Sequence, residues 1–172
     1  DTFLRLWYEV DPRKCGFSLD KYTEPYKWIP LNKGGAFRKW YGNNEYVINW
    51  NHNGADIKNF SGSVIRNPDY YFRESITWTM LSASCFGVRF SEKGKIFEGA
   101  GPSLFVNHND IFYLLALLCS KLGDYFIRIL NPTININIGD VCNVPVIIGN
   151  KAEIDELSID CVNISKADWD SY

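Results

Sequence analysis

The sequence predicts an α+β fold: a β-rich unit braced by one long buried helix over about residues 110–130 and by a late pair of strands. Short stretches rich in Val, Ile, Tyr, Phe and Trp, parted by Gly, Pro and Asn, run through the first hundred residues and read as strands. Ile111, Leu114, Leu115, Leu118, Leu122, Tyr125, Phe126 and Ile129 recur at helical spacing. Ile134, Ile136 and Ile138 then alternate with Asn135 and Asn137, which is the period of a half-buried strand.

Taken in order, residues 3–10 read as a strand that Asp11-Pro12-Arg13 breaks. Residues 16–26 are an irregular approach to strands at 27–31 and 45–50. Asn51-His52-Asn53-Gly54 is a turn signal, because Asn and Gly adopt positive φ at low cost. Residues 55–60 begin a short helix or an extended piece, and 69–75 a short helix or turn behind Pro68. Strands are expected at 76–80 and 85–90. Glu92-Lys93-Gly94-Lys95 reads as a hairpin turn into Ile96-Phe97, with one more strand at 104–106. Asn107-His108-Asn109-Asp110 opens the long helix with Asx side chains available to cap it, and Asn131-Pro132 ends it. Lys121, Asp124 and Arg128 interrupt its apolar run, so it reads as a scaffold helix, not a membrane span. Residues 144–148 complete the late strand pair. A short helical stretch at 152–157, an apolar piece at 159–164 and a linker-like tail follow.

At 172 residues, with ordinary apolar content and no low-complexity segment, the chain is long enough for one domain with a sizeable core. It opens on Asp1 and its one methionine is Met80, so it is expected to be a piece of a longer protein. Five widely spaced cysteines without a Cys-x-x-Cys, and two histidines, argue for reduced, mostly buried thiols in a cytoplasm and against a zinc site. Charge is uneven. Residues 27–95 hold ten Lys and Arg against five Asp and Glu, a net of +5, whereas residues 101–172 hold four against nine, a net of −5. A basic first half carried by an acidic second half fits a protein with one side facing nucleic acid.

The most unusual composition lies in residues 27–54, where three tryptophans, four basic residues and a run of asparagines surround Gly34-Gly35. Phosphates attract cations, base edges take Arg and Asn, and exposed rings stack. The same rings would also serve a twisted hairpin covering a small core. Two short motifs point elsewhere. Phe97-Glu98-Gly99-Ala100-Gly101 matches a glycine pattern that cradles S-adenosylmethionine, and Asn67-Pro68-Asp69-Tyr70 is one residue away from a motif that holds a flipped adenine. A cofactor loop must follow a buried strand and open a helix, whereas Pro102 and a strand follow here. Asp69 also puts a charge where a base would stack. No nucleophile–base constellation is apparent.

Lys33-Gly34-Gly35, Phe37-Arg38-Lys39-Trp40-Tyr41-Gly42-Asn43, Tyr46-Val47 and Asn49-Trp50 resemble the specificity region of adenine-specific DNA methyltransferases of the BREX phage-defence type. Further matches follow in the same order. They are Tyr71-Phe72 to Thr77-Trp78, Arg89-Phe90 with Gly94 and Phe97, and the leucine run 114–118 with Ser120-Lys121-Leu122. Asn131-Pro132-Thr133, Gly139-Asp140 with Val144-Pro145, and Asp168-Trp169-Asp170-Ser171 complete them. Cys119 stands where the family often has Asn, a departure that bears on helix packing.

The resemblance implies a target recognition domain, similar to those of type I specificity subunits and fused restriction–modification enzymes. Residues 1–150 would be that domain and 151–172 the start of a linker or helical segment. It implies double-stranded DNA and a catalytic domain of the same polypeptide as partners, and a prokaryotic cytoplasm as location. The parent enzyme would use S-adenosylmethionine, while this piece would hold no cofactor and no catalytic residue. Residues and resemblance together nominate Lys33, Lys39, Lys58, Arg66, Lys93 and Lys95 for phosphates. They nominate Arg38, Asn43, Asn51, Arg73 and Arg89 for base edges. Trp40 and Tyr41 would support the loop or pack on sugars, and Gly34-Gly35 would allow close backbone approach. The alternative class is a carbohydrate- or protein-binding β domain, which the basic charge of 27–95 disfavours.

Overall fold

A computed structural model describes residues 2–83 and 85–171. The strands are β1 (Leu4–Leu6), β2 (Trp28–Asn32), β3 (Tyr46–Asn49), β4 (Ser75–Trp78), β5 (Val88–Ser91), β6 (Ile96–Phe97) and β7 (Ser103–Leu104). The helices are α1 (Asn51–Lys58), α2 (Ile111–Cys119), α3 (Lys121–Leu130), α4 (Ile138–Cys142) and α5 (Lys151–Trp169). Helices and strands together make the α+β class that the sequence predicts. Among the described residues the strands form a four-stranded sheet, ordered β1-β3-β2-β6, and a three-stranded one, ordered β5-β4-β7.

The second sheet shows how period-2 alternation builds the molecule. Ile76 and Trp78 of β4 and Val88 of β5 point into one core, where they meet Ile111, Leu115 and Leu118 of α2 and Val162 of α5. The alternate residues Ser75, Thr77, Arg89 and Ser91 point the other way and are buried too, although they are polar. Asn32 Nδ2 donates to Ser91 Oγ at 2.9 Å, and Thr77 Oγ1 donates to the Pro102 carbonyl at 2.8 Å. A polar seam thus joins the two sheets. On the far side of the first sheet Ile29, Leu31, Trp50, Ile57, Tyr71 and Ile96 form a second core.

Several expectations need correction. The hairpin at 92–95 is absent: β5 pairs with β4, whereas β6 pairs in parallel with β2, so the chain crosses between sheets here. Phe72 takes the turn's backbone bonds instead, donating to the Lys95 carbonyl and accepting from Gly94. The first strand stops at Leu6, because Glu9 reaches back to the Leu6 N–H and closes a 3-10 turn.

The single long helix is two. Ser120 leaves the helical region with ψ 167°, and its hydroxyl accepts from the Gly123 N–H, capping α3. α2 is the buried brace; α3 is buried only along one side. No Asx side chain caps the start of α2. The late strand pair is also absent. In residues 131–140 side chains of Asn, Thr and Asp bond neighbouring backbone groups, as Asn131 Oδ1 does with the Thr133 N–H and Asp140 Oδ2 with the Asn137 N–H. Such local bonds compete with a ladder, and only an isolated bridge from Leu81 to Asn135 remains. Residues 144–148 form no strand, and Ile147 is 88% exposed. Residues 151–169, expected as a linker or short helical pieces, are one helix packed against α2, with Val162 and Ser158 buried. The five cysteines are free, but Cys85 and Cys142 are exposed, against the expectation of mostly buried thiols. Among the described residues no helix is long and apolar enough to cross a membrane.

Candidate nucleic-acid interface

Much of the 33–50 block turns inward. Gly34 (φ +95°) lies against the loop after β6, where a Cβ would sit 2.7 Å from the Ala100 carbonyl oxygen. A Cβ on Gly35 (φ +133°) would meet the Asn43 side chain at 2.8 Å. The close backbone approach that these glycines permit is to the protein itself. Asn43 is buried and donates to the Ala36 carbonyl at 2.8 Å. Tyr41 is buried, with its hydroxyl donating to Glu92 and accepting from Lys166, both at 2.9 Å. Trp40 extends the edge of β5 through backbone bonds to Val88 and Phe90 and packs on the α2 core.

The block's cations have partners as well. Lys33 lies 3.8 Å from Glu98 and over the Tyr46 ring. Arg38 stacks on Trp169 at 4.7 Å and pairs with Asp168 at 3.3 Å, so the end of α5 holds it. Lys39 Nζ donates to the Cys119 carbonyl at 2.6 Å. That puts a positive charge at the C-terminus of α2, where orphan carbonyls favour it. Lys39→Ala is therefore expected to cost on the order of 1–3 kcal/mol in a denaturant melt and to leave the salt dependence of DNA binding unchanged. Unaltered stability with a salt slope lower by about one unit would return Lys39 to the phosphate contacts.

Arg89 and Lys95 are the clearest departures from the DNA-facing set. Arg89 is 2% exposed, its Nε has no partner, and burial pulls its pKa down to about 10. A charge so enclosed cannot reach a base edge. Lys95 is half-buried and donates to Asn44 Oδ1 at 2.7 Å. Burial lowers its pKa from 10.5 to about 8; Glu92 opposes the shift and Lys166 and Arg89 add to it. Between those two values the unfolded chain binds more protons than the folded one. Stability from this group therefore rises with pH across that window, and the full penalty of the buried ammonium applies below it. Lys95→Met is expected to raise stability at pH 7 and to flatten that rise. Urea melts at pH 7 and pH 10 test this, and equal gains at both pH values would contradict it.

The outward cations gather on the excursion between β3 and β4. It begins with His52, Asn53 and Gly54 in the left-handed region, so the turn signal holds although a short helix continues from it. Asn51 is half-buried there, its N–H bonded to Asn49 Oδ1. Lys58 is exposed, 5.9 Å over the Trp50 ring, and Arg66 is exposed on the loop beyond. Exposed Arg73 stacks 5.1 Å over Tyr70, whose ring packs on Phe105. That contact places a guanidinium beside a ring at the surface. The reading of the sequence missed Tyr70 as its platform, though the three-residue spacing from Tyr70 to Arg73 just after Pro68 was visible. Lys93 is exposed but pairs with Asp20 at 3.5 Å, outside this segment.

A half-open cleft of about 800 Å3 lies beside the excursion, and Phe60, Arg66, Asn67, Tyr71, Phe97 and Asn137 are among its walls. It brings both short motifs to one place, Asn67 from one and Phe97-Glu98-Gly99 from the other. The glycine pattern does not fit S-adenosylmethionine there. β6 is two residues long and leads by a turn into β7, so the loop opens no helix of its own. A Cβ on Gly101 would lie 2.5 Å from the Asn32 carbonyl oxygen, so that glycine serves packing between chain segments. Among the described residues no group of three or more His, Cys, Asp or Glu is placed to hold a metal ion.

No family model matches the chain. Whole relatives are more informative. The adenine-specific methyltransferase BrxX of Escherichia coli O9:H4 (strain HS) is 39% identical over 175 residues, which span all of this chain and 14% of that protein. The adenine-specific methyltransferase PglX of Lacticaseibacillus casei (strain Zhang) is 37% identical over 180 residues, 99% of this chain and 15% of its own length. The chain is homologous to one segment of these methyltransferases. It spans about one seventh of each relative.

Proposed function

We propose that the chain is the part of an adenine-specific DNA methyltransferase that reads double-stranded DNA for a catalytic domain elsewhere in the same polypeptide. The parent would transfer methyl groups from S-adenosylmethionine to adenine N6 in a prokaryotic cytoplasm, in phage defence of the BREX kind. The observation that carries this reading is similarity over the full chain to one segment of two adenine-specific methyltransferases. A segment in which the second glycine of the pattern, Gly101, packs on its own backbone suits recognition better than chemistry.

In this reading affinity comes from cations that hold phosphates, with Lys58 and Arg66 foremost. Sequence is read by Arg73, whose guanidinium lies 5.1 Å from the centre of the Tyr70 ring. Arg38, Lys39, Tyr41, Asn43, Arg89 and Lys95 shape and brace the surface without touching DNA.

The chain by itself is then catalytically silent. Calorimetric titration with S-adenosylmethionine and a methyl-transfer assay on DNA should give neither heat nor product. Micromolar cofactor binding or turnover would contradict this and turn attention to the 800 Å3 cleft.

A further inference from the structure

α3 carries two apolar sides. Inward, Ile127 is buried and Phe126 packs on the core. Outward, Leu122, Tyr125 and Ile129 are 51%, 60% and 60% exposed. Their spacing of three and four residues puts them on one stripe. A surface helix of a self-contained unit needs one apolar stripe, and contiguous exposed apolar surface marks a contact site. A separate pocket on another side of α3 is walled by Asp124, Ile127, Arg128, Pro132 and the exposed Ile134.

We propose that this outward stripe of α3 is the surface on which the rest of the methyltransferase polypeptide docks. Two observations choose that occupant. The chain covers 14% and 15% of its two relatives, so most of such a polypeptide lies outside the fold described here. The three side chains of the stripe also carry no charge to offer a phosphate backbone; of the two cations on α3, Arg128 is tied to Asp124 at 2.8 Å and Lys121 is exposed at its start. The outward cations of the excursion lie on a different segment of the chain. The inference rests on the reading that the chain works inside a larger methyltransferase, but not on which residues touch DNA.

The test is photo-crosslinking in the full-length enzyme without DNA. Ile129→p-benzoylphenylalanine should give an intramolecular crosslink, mapped by mass spectrometry to residues outside this 172-residue segment. The same change at exposed Glu153 is a control and should give at least fivefold less of it. No crosslink at Ile129, one within the segment, or one to a second copy or another protein would overturn the proposal. Ile129→Glu should lower methylation at least tenfold without altering the methylated motif. Full methylation by that variant would count against docking, and a changed motif would place the stripe at the DNA instead.

Discussion

Leu115→Ala should lower the free energy of unfolding by about 2–5 kcal/mol, the cost of a large-to-small change in a packed core. Leu115 is 0% exposed and sits where α2 meets Ile76, Trp78 and Val88 of the second sheet. The cavity cannot collapse easily. α2 is held behind by α5 and at its end by the bond from Lys39 to the Cys119 carbonyl. Leu122→Ala, a few residues on, should cost far less because that side chain faces out. Chemical melts of both variants test the split of the long apolar run into a brace and a half-exposed helix. Equal losses would mean that α3 is as deeply packed as α2.

Arg73→Ala in the full-length enzyme should relax recognition at one base pair, by roughly 1–3 kcal/mol of discrimination. The expected size comes from geometry. The guanidinium lies over Tyr70, and Tyr70 rests on Phe105, so part of the ordering that a bidentate contact needs is already supplied. Lys58→Ala should instead weaken binding to all sequences alike and reduce the salt slope by about one unit. Sequencing of methylated sites, beside binding at two salt concentrations, separates the two. If Arg73→Ala leaves the motif intact while Arg38→Ala changes it, the clamp of Arg38 by Asp168 and Trp169 must open on DNA.

What could be read from the sequence divides along a physical line. Periodicity and punctuation act locally, so strands β2 to β5, the start of α2 and the stop at Asn131-Pro132 were visible. Ser120 was the visible signal that the stripe breaks: a serine within an apolar run can cap a new helix. The asparagines of 131–137 likewise signalled local turns over a strand. The direction in which a side chain faces is decided by tertiary packing. Nothing in the spelling of Arg38-Lys39-Trp40-Tyr41 says that Lys39 will cap a helix 80 residues away or that Tyr41 will be enclosed by Glu92 and Lys166. Arg89 looked like a base reader because arginine is costly to bury, yet strand alternation places it on the polar seam between the sheets.

The most direct test of the central claim is an exchange of segments. Residues 1–172 replace the matching segment of the Escherichia coli relative, and methylated sites are sequenced in cells. If the chain reads DNA for a separate catalytic part, the hybrid methylates adenine in a motif different from that of its host. Methylation in the unchanged motif of the host would contradict the account.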